Sequence, residues 1–223
     1  MTVHSLSKCI ILVCAGGMLA GCDSELPTPV EASSSHAHIS TAAVDHAALN
    51  AALAELRRET ARWHRLDLAT SEDGGYVLAM GCIDERIVPG VAAADERGMG
   101  YHFANPALIF ADPATGVPDL EVDLLTPELL VYAKHPVTGR MQLAGFDYFV
   151  PAGGIHGSPA EGGVPPMIAE IGVPFTWSPA HGGWMFHIWS WQHNPDGMFE
   201  NFNSAVPMCD CELDELDFSC VAD

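Results

Sequence analysis

The amino-acid sequence predicts an α+β fold, in which one long N-terminal helix packs on a mainly antiparallel sheet with long Gly/Pro-rich loops. Three observations support this prediction. One segment repeats apolar residues at helical spacing, several later segments are short and extended, and the 223 residues include 21 glycines and 16 prolines. Because glycine and proline interrupt regular structure, they favour many loops and few long helices. Apolar residues make up 48% of the chain, which is enough for a hydrophobic core.

The helix is predicted over residues 41–68. The residues of one face recur at steps of three and four, at Leu49, Leu53, Leu56, Thr60 and Trp63. Four arginines crowd the C-terminal end of the segment, where positive charge suits the helix dipole, at Arg57, Arg58, Arg62 and Arg65. The pair Gly74-Gly75 ends the segment.

Short extended segments follow and predict the strands of the sheet. The candidate strands are residues 76–79, 107–111, 129–133, 141–150 and 185–192. Pro136 and Gly139 lie between two of these strands and predict a hairpin loop there. Residues 151–166 are rich in glycine and proline and predict an irregular surface loop.

The N-terminal segment has the layout of an export signal. A weakly basic start precedes an apolar run from Cys9 to Leu19, which is shorter than the roughly 20 residues that span a bilayer. The tetrapeptide Leu19-Ala20-Gly21-Cys22 resembles the lipobox of bacterial lipoproteins. The resemblance implies cleavage before Cys22, attachment of lipid to its thiol and acylation of the new amino terminus. A cleaved signal without lipid is the alternative, but such a signal does not need a cysteine at this position.

These features divide the chain into four parts. Residues 1–21 form the lipoprotein signal, residues 22–40 a lipid-anchored linker, residues 41–208 a single α+β domain, and residues 209–223 an acidic tail that contains cysteine. Proline and serine in the linker cannot build a core and act as a spacer. The arrangement predicts an extracytoplasmic protein that is anchored to the bacterial cell membrane, with the lipid bilayer as a partner through Cys22.

Acidic residues strongly outnumber basic ones. The chain has 29 Asp and Glu against 9 Lys and Arg, which gives a formal net charge of −20. Nucleic acids and anionic lipid headgroups are bound by clustered lysine and arginine. We therefore exclude nucleic acid as a partner. The excess negative charge suits metal cations or a cationic partner, and a solvated acidic coat is the simpler explanation.

Four cysteines remain beyond the signal and Cys22, namely Cys82, Cys209, Cys211 and Cys220. In an oxidising compartment an even set usually forms disulfides, and four cysteines allow three pairings. Because Cys209 and Cys211 are poorly placed to bond each other, we favour Cys82 with Cys209 and the other two together. The alternative is that Cys209 and Cys211 bind a soft metal such as copper or zinc.

The densest candidate site runs from His187 to His193. Because the side chains of a strand alternate between its faces, the two histidines and two tryptophans at positions 187, 189, 191 and 193 are expected to share one face. Aromatic walls with a few polar groups are typical of small-molecule pockets. The candidate ligand-binding residues are Trp189, Trp191 and Tyr101. The alternative is that the tryptophans belong to the core and the histidines bond to nearby loop groups.

Two further histidines extend this set. His102 precedes the turn pair Asn105-Pro106, and His64 follows Trp63 near the end of the predicted helix. Three or four imidazoles that converge can bind zinc, copper or iron. The candidate metal ligands are therefore His64, His102, His187 and His193, although their spacing matches no established metal-binding motif.

Two motifs together carry a resemblance. Residues 98–106 read Gly-Met-Gly-Tyr-His-Phe-Ala-Asn-Pro, and residues 187–199 read His-x-Trp-x-Trp-x-His-Asn-Pro-x-Gly-Met-Phe. With the stretch from 127 to 150, they resemble a family of uncharacterised exported bacterial proteins, many of them actinobacterial, over roughly residues 55–209. The resemblance implies a single domain and a bond between Cys82 and Cys209. The acidic tail and its two cysteines depart from the pattern, and the family brings no established activity.

Three functions follow from these observations. The first is a membrane-tethered protein that binds a small ligand or a transition metal in a pocket lined by tryptophan and histidine. The second is an enzyme whose histidine-bound metal activates water or oxygen, since a metal lowers the pKa of bound water to about 7. The third is a structural or interaction module of the cell envelope. We favour binding over catalysis, because the sequence contains no motif of a known catalytic machinery.

Overall fold

The computed structural model describes residues 46–86 and 97–210. The chain begins with a helix, α1, over His46–Thr60, which is followed by a 3-10 helix over Ala61–His64. A short helix, α2, spans Leu66–Ala69. The prediction of one long N-terminal helix packed on a sheet is therefore wrong. The described residues form a curled antiparallel sheet of six strands that carries short helices.

The apolar spacing of the predicted helix continues past α1, but the helical backbone does not. The Thr60 hydroxyl donates a hydrogen bond to the Leu56 carbonyl at 2.6 Å, a contact that tends to bend helices. The next turn tightens into the 3-10 helix, and Arg65 then adopts an extended backbone with φ −92° and ψ 100°. Trp63 is buried despite the break, because the 3-10 turn still directs it at the core. Side-chain periodicity thus marked a buried face rather than one continuous helix.

The strands are short and mostly joined by loops. In chain order they are β1 (Val77–Asp84), β2 (Gly98–Ala104), β3 (Phe110–Asp112), β4 (Val117–Pro118), β5 (Leu129–Lys134), β6 (Met141–Pro151), β7 (Thr176–Ser178) and β8 (Gly183–Ile188). Six of them form one antiparallel sheet in the order β1-β2-β5-β6-β8-β7, while β3 and β4 form a separate ribbon. A short helix, α3, spans Pro106–Ile109, and a second 3-10 helix spans Pro159–Glu161.

Two of the predicted strands differ most from the structure, while the predicted strand 76–79 corresponds to the first part of β1, which continues to Asp84. Most of residues 107–111 lie in α3, because the Asn105 side chain accepts a hydrogen bond from the Ala107 amide at 3.1 Å and caps a helical turn. The last predicted strand, residues 185–192, is shorter than expected. β8 ends at Ile188, where the Ser190 amide turns back to the Ile188 carbonyl at 2.9 Å.

The two faces of the main sheet bury different residues. One face shares the main core with α1 and the first 3-10 helix, through Leu56, Trp63, Tyr132, Phe146, Tyr148 and Ile188. The opposite face carries smaller apolar clusters, which include Leu129, Val131 and Trp189. Since side chains alternate along a strand, Asp147 projects away from the main core and toward this second face.

The C-terminal segment returns over the second face. The Trp189 indole N–H donates to the Glu200 carbonyl at 2.6 Å, and the Asn203 amide donates to the Gly98 carbonyl at 2.9 Å. A disulfide joins Cys82 on β1 to Cys209, with their Cα atoms 5.6 Å apart. This is the pairing favoured from the sequence, and it fixes the end of the described chain to the first strand.

Several sequence predictions concern other parts of the chain. The signal, the linker, Cys211 and Cys220 lie outside the described residues. Within residues 46–86 and 97–210, no helix has the length and hydropathy that crossing a bilayer requires.

Candidate metal centre

Three side chains from three strands meet on the second face of the sheet. Asp147 lies on β6 directly opposite His187 on β8. Asp147 also lies opposite Leu129 on β5, and two residues further along β5 Val131 lies opposite His102 on β2. The register therefore places His102 diagonally across β5 from Asp147, on the same face as Asp147 and His187.

The distances between the three ligand atoms suit a single metal ion. The Nε2 atoms of His102 and His187 are 3.2 Å apart. Asp147 Oδ2 lies 3.5 Å from Nε2 of His187 and 3.9 Å from Nε2 of His102. The point equidistant from three atoms with these separations lies about 2.1 Å from each, which matches the length of zinc–imidazole and zinc–carboxylate bonds. The group is the one set of three or more His, Cys, Asp or Glu among the described residues that could hold a metal ion.

The group is enclosed by protein. His102 and Asp147 are 0% exposed, and His187 is 3% exposed. The His187 ring stacks on Trp189 with the ring centroids 6.3 Å apart, and Trp189 packs in turn with Val131 and Val206. The segment that follows β8 thus shields the centre from solvent. A metal held here would be protected from competing ligands in bulk water.

Burial shifts the pKa of each group in the direction that favours the neutral form of the side chain. It raises the pKa of Asp147 well above its usual range, and the nearby Glu128 carboxyl raises it further. Burial lowers the pKa of His187 to about 4. It also lowers the pKa of His102 well below its usual value, and His187 and His181 lower it further by charge repulsion. Neutral imidazoles are the form that binds metals, so both histidines are ready to act as ligands at neutral pH.

Most polar atoms of the group have no partner in the described part of the chain. Both carboxyl oxygens of Asp147 and the Nδ1 atoms of both histidines make no hydrogen bond of normal geometry. The Phe186 amide lowers the pKa of Asp147 and the Asn201 side chain raises the pKa of His187, each by less than burial shifts it the other way. Neither neighbour meets the geometry of a full hydrogen bond. Buried polar groups are nearly always satisfied in native proteins, and such exceptions require an explanation.

A cavity lies beside the group. Its volume is about 180 Å³, and its wall includes His187 and His181 together with methionine and aromatic side chains. Because His187 contributes to both the wall and the cluster, the cavity reaches the edge of the metal-binding group. An ion or a small ligand thus has space to approach the centre from this side.

The structure separates the other residues that the sequence singled out. His64 is exposed and packs edge-on against Trp191, with ring centroids 4.3 Å apart. His193 is also exposed, and neither histidine belongs to the group of ligand atoms. Two of the four predicted imidazoles, His102 and His187, therefore converge.

The predicted aromatic pocket is divided between two sides of the sheet. Trp189 packs on the second face beside His187, whereas Trp191 packs against the main core. The chain turns at Ser190, so the strand alternation that would place both tryptophans together ends before it reaches Trp191. Tyr101 is buried in the main core as well. The three residues do not line one pocket.

Asp147 is the member of the group that sequence reasoning missed. The signal that could have found it is its position in the predicted strand 141–150, where it is the only charged residue among apolar and aromatic neighbours. Charged residues are almost never fully buried unless they are paired or bind a metal. An acidic residue in the middle of a buried strand was therefore a site candidate in its own right.

No protein family model, curated protein or solved structure matches this chain. The case for a function therefore depends on the chemistry of the group itself.

Proposed function

We propose that this protein binds a transition metal ion through His102, Asp147 and His187, and that it does so at the outer side of a bacterial cell membrane as a lipoprotein. The observation that carries the proposal is the convergence of three ligand atoms around a point at bonding distance from each. Two imidazoles and one carboxylate form a donor set that suits zinc, copper and iron.

The energetics of the group support the same conclusion. Leaving a buried donor or acceptor without a partner costs about 1–3 kcal/mol for each group, and more for a charged one. Both oxygens of Asp147 are in this position. A bound cation would satisfy the carboxylate and would take the place of the hydrogen bond between the two Nε2 atoms, which are 3.2 Å apart. A core built for stability alone would use apolar residues at these three positions.

The site of action is proposed from the N-terminal sequence. The lipobox at Leu19-Ala20-Gly21-Cys22 predicts a lipid on Cys22, and burial of acyl chains contributes about 0.8 kcal/mol per methylene to membrane binding. A disulfide between Cys82 and Cys209 fits an oxidising compartment outside the cytoplasm. Membrane tethering keeps such a protein at the surface where metals enter and leave the cell.

Metal content provides the first test. The purified full-length protein would be loaded in turn with zinc, copper and iron, dialysed and examined by elemental analysis, beside the variants Asp147→Asn and His187→Gln. His193→Gln serves as the matched control, since it removes an exposed imidazole outside the group. We expect one ion per chain in the wild type and the control, and a loss in both site variants. Absence of metal from the wild type, or equal loading of all four proteins, would contradict the proposal.

A metal enzyme is the second candidate, and the cavity beside His187 is the observation that favours it. Catalytic metal sites keep a coordination position free for water or substrate, whereas binding sites are closed. Cobalt(II)-substituted protein distinguishes the two. A change of its visible spectrum on addition of azide would indicate an open position, and an unchanged spectrum would favour a binding protein.

A further inference from the structure

The cavity beside the metal centre has an unusual lining. Three methionines contribute to its wall, Met80, Met99 and Met185, and the wall also includes His181 and His187. Met99 and Met185 lie on β2 and β8, the strands that carry His102 and His187, and Met80 lies on the neighbouring β1. Met80 lies opposite His102 in the pairing of β1 with β2, and Met185 precedes His187 by two residues on β8. Residues two apart on a strand share a face, so Met185 and His187 project to the same side.

The lining also lacks charge. No Asp, Glu, Lys or Arg is present among the described residues of the cavity wall, although the whole chain carries a net charge of −20. A strongly hydrated divalent cation needs oxygen ligands to replace its water, and this wall offers few of them. The acidic residues of the protein thus attract cations in general, while this cavity presents sulfur and imidazole to whatever enters.

Thioether sulfur discriminates between metals. It is a soft ligand that suits Cu(I), whereas imidazole also suits zinc, iron and Cu(II), and carboxylate suits harder cations. Methionine also fills irregular gaps in cores, and that role alone would explain one such residue. Three methionines around one cavity that also contacts a ligand of the centre are better explained by metal chemistry.

We propose that this methionine-lined cavity is the entrance through which Cu(I) reaches the His102–Asp147–His187 centre, so that copper is the metal the protein takes. This inference rests on the proposed function, because it assigns the identity of the ion at that same site. The thioethers bind Cu(I) on its way in, and His187 at the cavity wall receives it. No change of oxidation state is needed for this step.

The test compares two sets of methionine variants of the full-length protein. The first set, Met80→Leu with Met99→Leu and Met185→Leu, removes the sulfur from the cavity and keeps its apolar volume. The control, Met167→Leu with Met198→Leu, changes two methionines that are at least one-third exposed and lie outside the wall. The rate of Cu(I) uptake is measured under anaerobic reducing conditions as the ion leaves a chromophoric chelator, and the rate of zinc uptake is measured by the same approach. Circular dichroism checks the fold of each variant.

The expected result is Cu(I) uptake slower by about tenfold or more in the cavity variant, with zinc uptake unchanged and the control equal to the wild type. If the cavity variant takes up Cu(I) as fast as the wild type does, the inference is wrong and the metal centre still stands. If the wild type binds neither metal, the proposed function fails as well. If the triple variant does not fold, the single variant Met185→Leu provides the test, because Met185 is the methionine nearest along the chain to a ligand of the centre.

Discussion

Asp147 and His187 lie directly opposite each other on β6 and β8, and their side chains approach to 3.5 Å although both are buried. A carboxyl and an imidazole at this distance normally form a hydrogen bond or an ion pair. Neither oxygen of Asp147 has a partner within hydrogen-bond geometry, however, and burial holds the pKa of this carboxyl well above its usual range. The pair is arranged for a cation that lies between its members.

The first prediction concerns the free energy of folding that is lost because the Asp147 carboxyl is buried. Asp147→Asn keeps the shape of the side chain and removes the group whose ionisation is opposed by burial. Because the folded-state pKa of Asp147 is raised, the carboxyl destabilises the fold at pH 7 and has no such effect at a pH below its ordinary value. We expect the metal-free variant to melt higher than the metal-free wild type at pH 7, by about 2–4 °C for each kcal/mol regained.

Thermal unfolding with and without zinc checks this expectation. The wild type should gain stability with zinc and the variant should not, since a ligand that binds only the folded state raises the melting temperature. A variant that is less stable than the wild type without metal, yet gains as much from zinc, would show that Asp147 has a purely structural role.

The second prediction concerns Glu128, a buried carboxyl at the start of β5 whose Oε2 has no hydrogen-bond partner among the described residues. Burial raises its pKa from 4.5 to about 8. Between these two values the unfolded chain releases a proton that the folded protein retains, so stability falls as the pH rises from 4.5 to 8. Above this window the penalty is constant, at most about 5 kcal/mol.

Glu128→Gln removes this titration. We expect the variant to show a smaller loss of stability between pH 5 and pH 8 than the wild type, and to be the more stable protein at pH 8. Urea unfolding at a series of pH values measures the difference. Glu200→Gln, which changes an exposed carboxyl, serves as the control and should follow the wild type. Parallel curves for all three proteins would refute the assignment.

The third prediction concerns the disulfide between Cys82 and Cys209, which are separated by 127 residues. Closing a loop of this size restricts the unfolded chain and typically adds about 2–5 kcal/mol of stability. We expect the double variant Cys82→Ala, Cys209→Ala to lose stability within that range. Dithiothreitol should destabilise the wild type to a similar extent and should affect the double variant much less. If the double variant is as stable as the wild type, or loses as much stability on reduction, this bond is not the main source of the effect.

The fourth prediction concerns the membrane anchor. Cys22→Ser removes the thiol that the lipobox would acylate. We expect the wild type to sediment with membranes. The variant should appear in the soluble fraction or remain uncleaved, because without the Cys22 thiol the protein cannot receive the lipid that anchors it. Metabolic labelling with a fatty acid supplies the direct measurement. An unlabelled wild-type protein would disprove lipidation.

The sequence predicted part of the metal site because histidine is recognisable by its chemistry alone. His102 and His187 were chosen as candidate ligands, and they do meet. The sequence could not predict which imidazoles would converge, since that depends on the register of β2, β5, β6 and β8. A shift of one residue in any pairing moves a side chain to the other face. His64 and His193 are histidines as well, but both are exposed and lie outside the metal-binding group.

The fold prediction was wrong where a regular side-chain pattern continues past the point at which the helix or strand ends. The apolar stripe from Leu49 to Trp63 is real, but the backbone changes from α to 3-10 geometry after Thr60. The alternation from His187 to His193 is equally regular in sequence, yet β8 stops at Ile188. In both places a local hydrogen bond, from the Thr60 hydroxyl or the Ser190 amide, overrides the periodicity.

The bond between Cys82 and Cys209 also encloses five of the six strands of the main sheet wholly within one covalent ring, namely β2, β5, β6, β7 and β8. A protease that cuts once at any loop inside this ring leaves both pieces attached to each other. Ligands from different strands, such as His102 and His187, therefore stay on one connected molecule after a single cleavage. The cross-link thus protects the integrity of the centre as well as the stability of the fold.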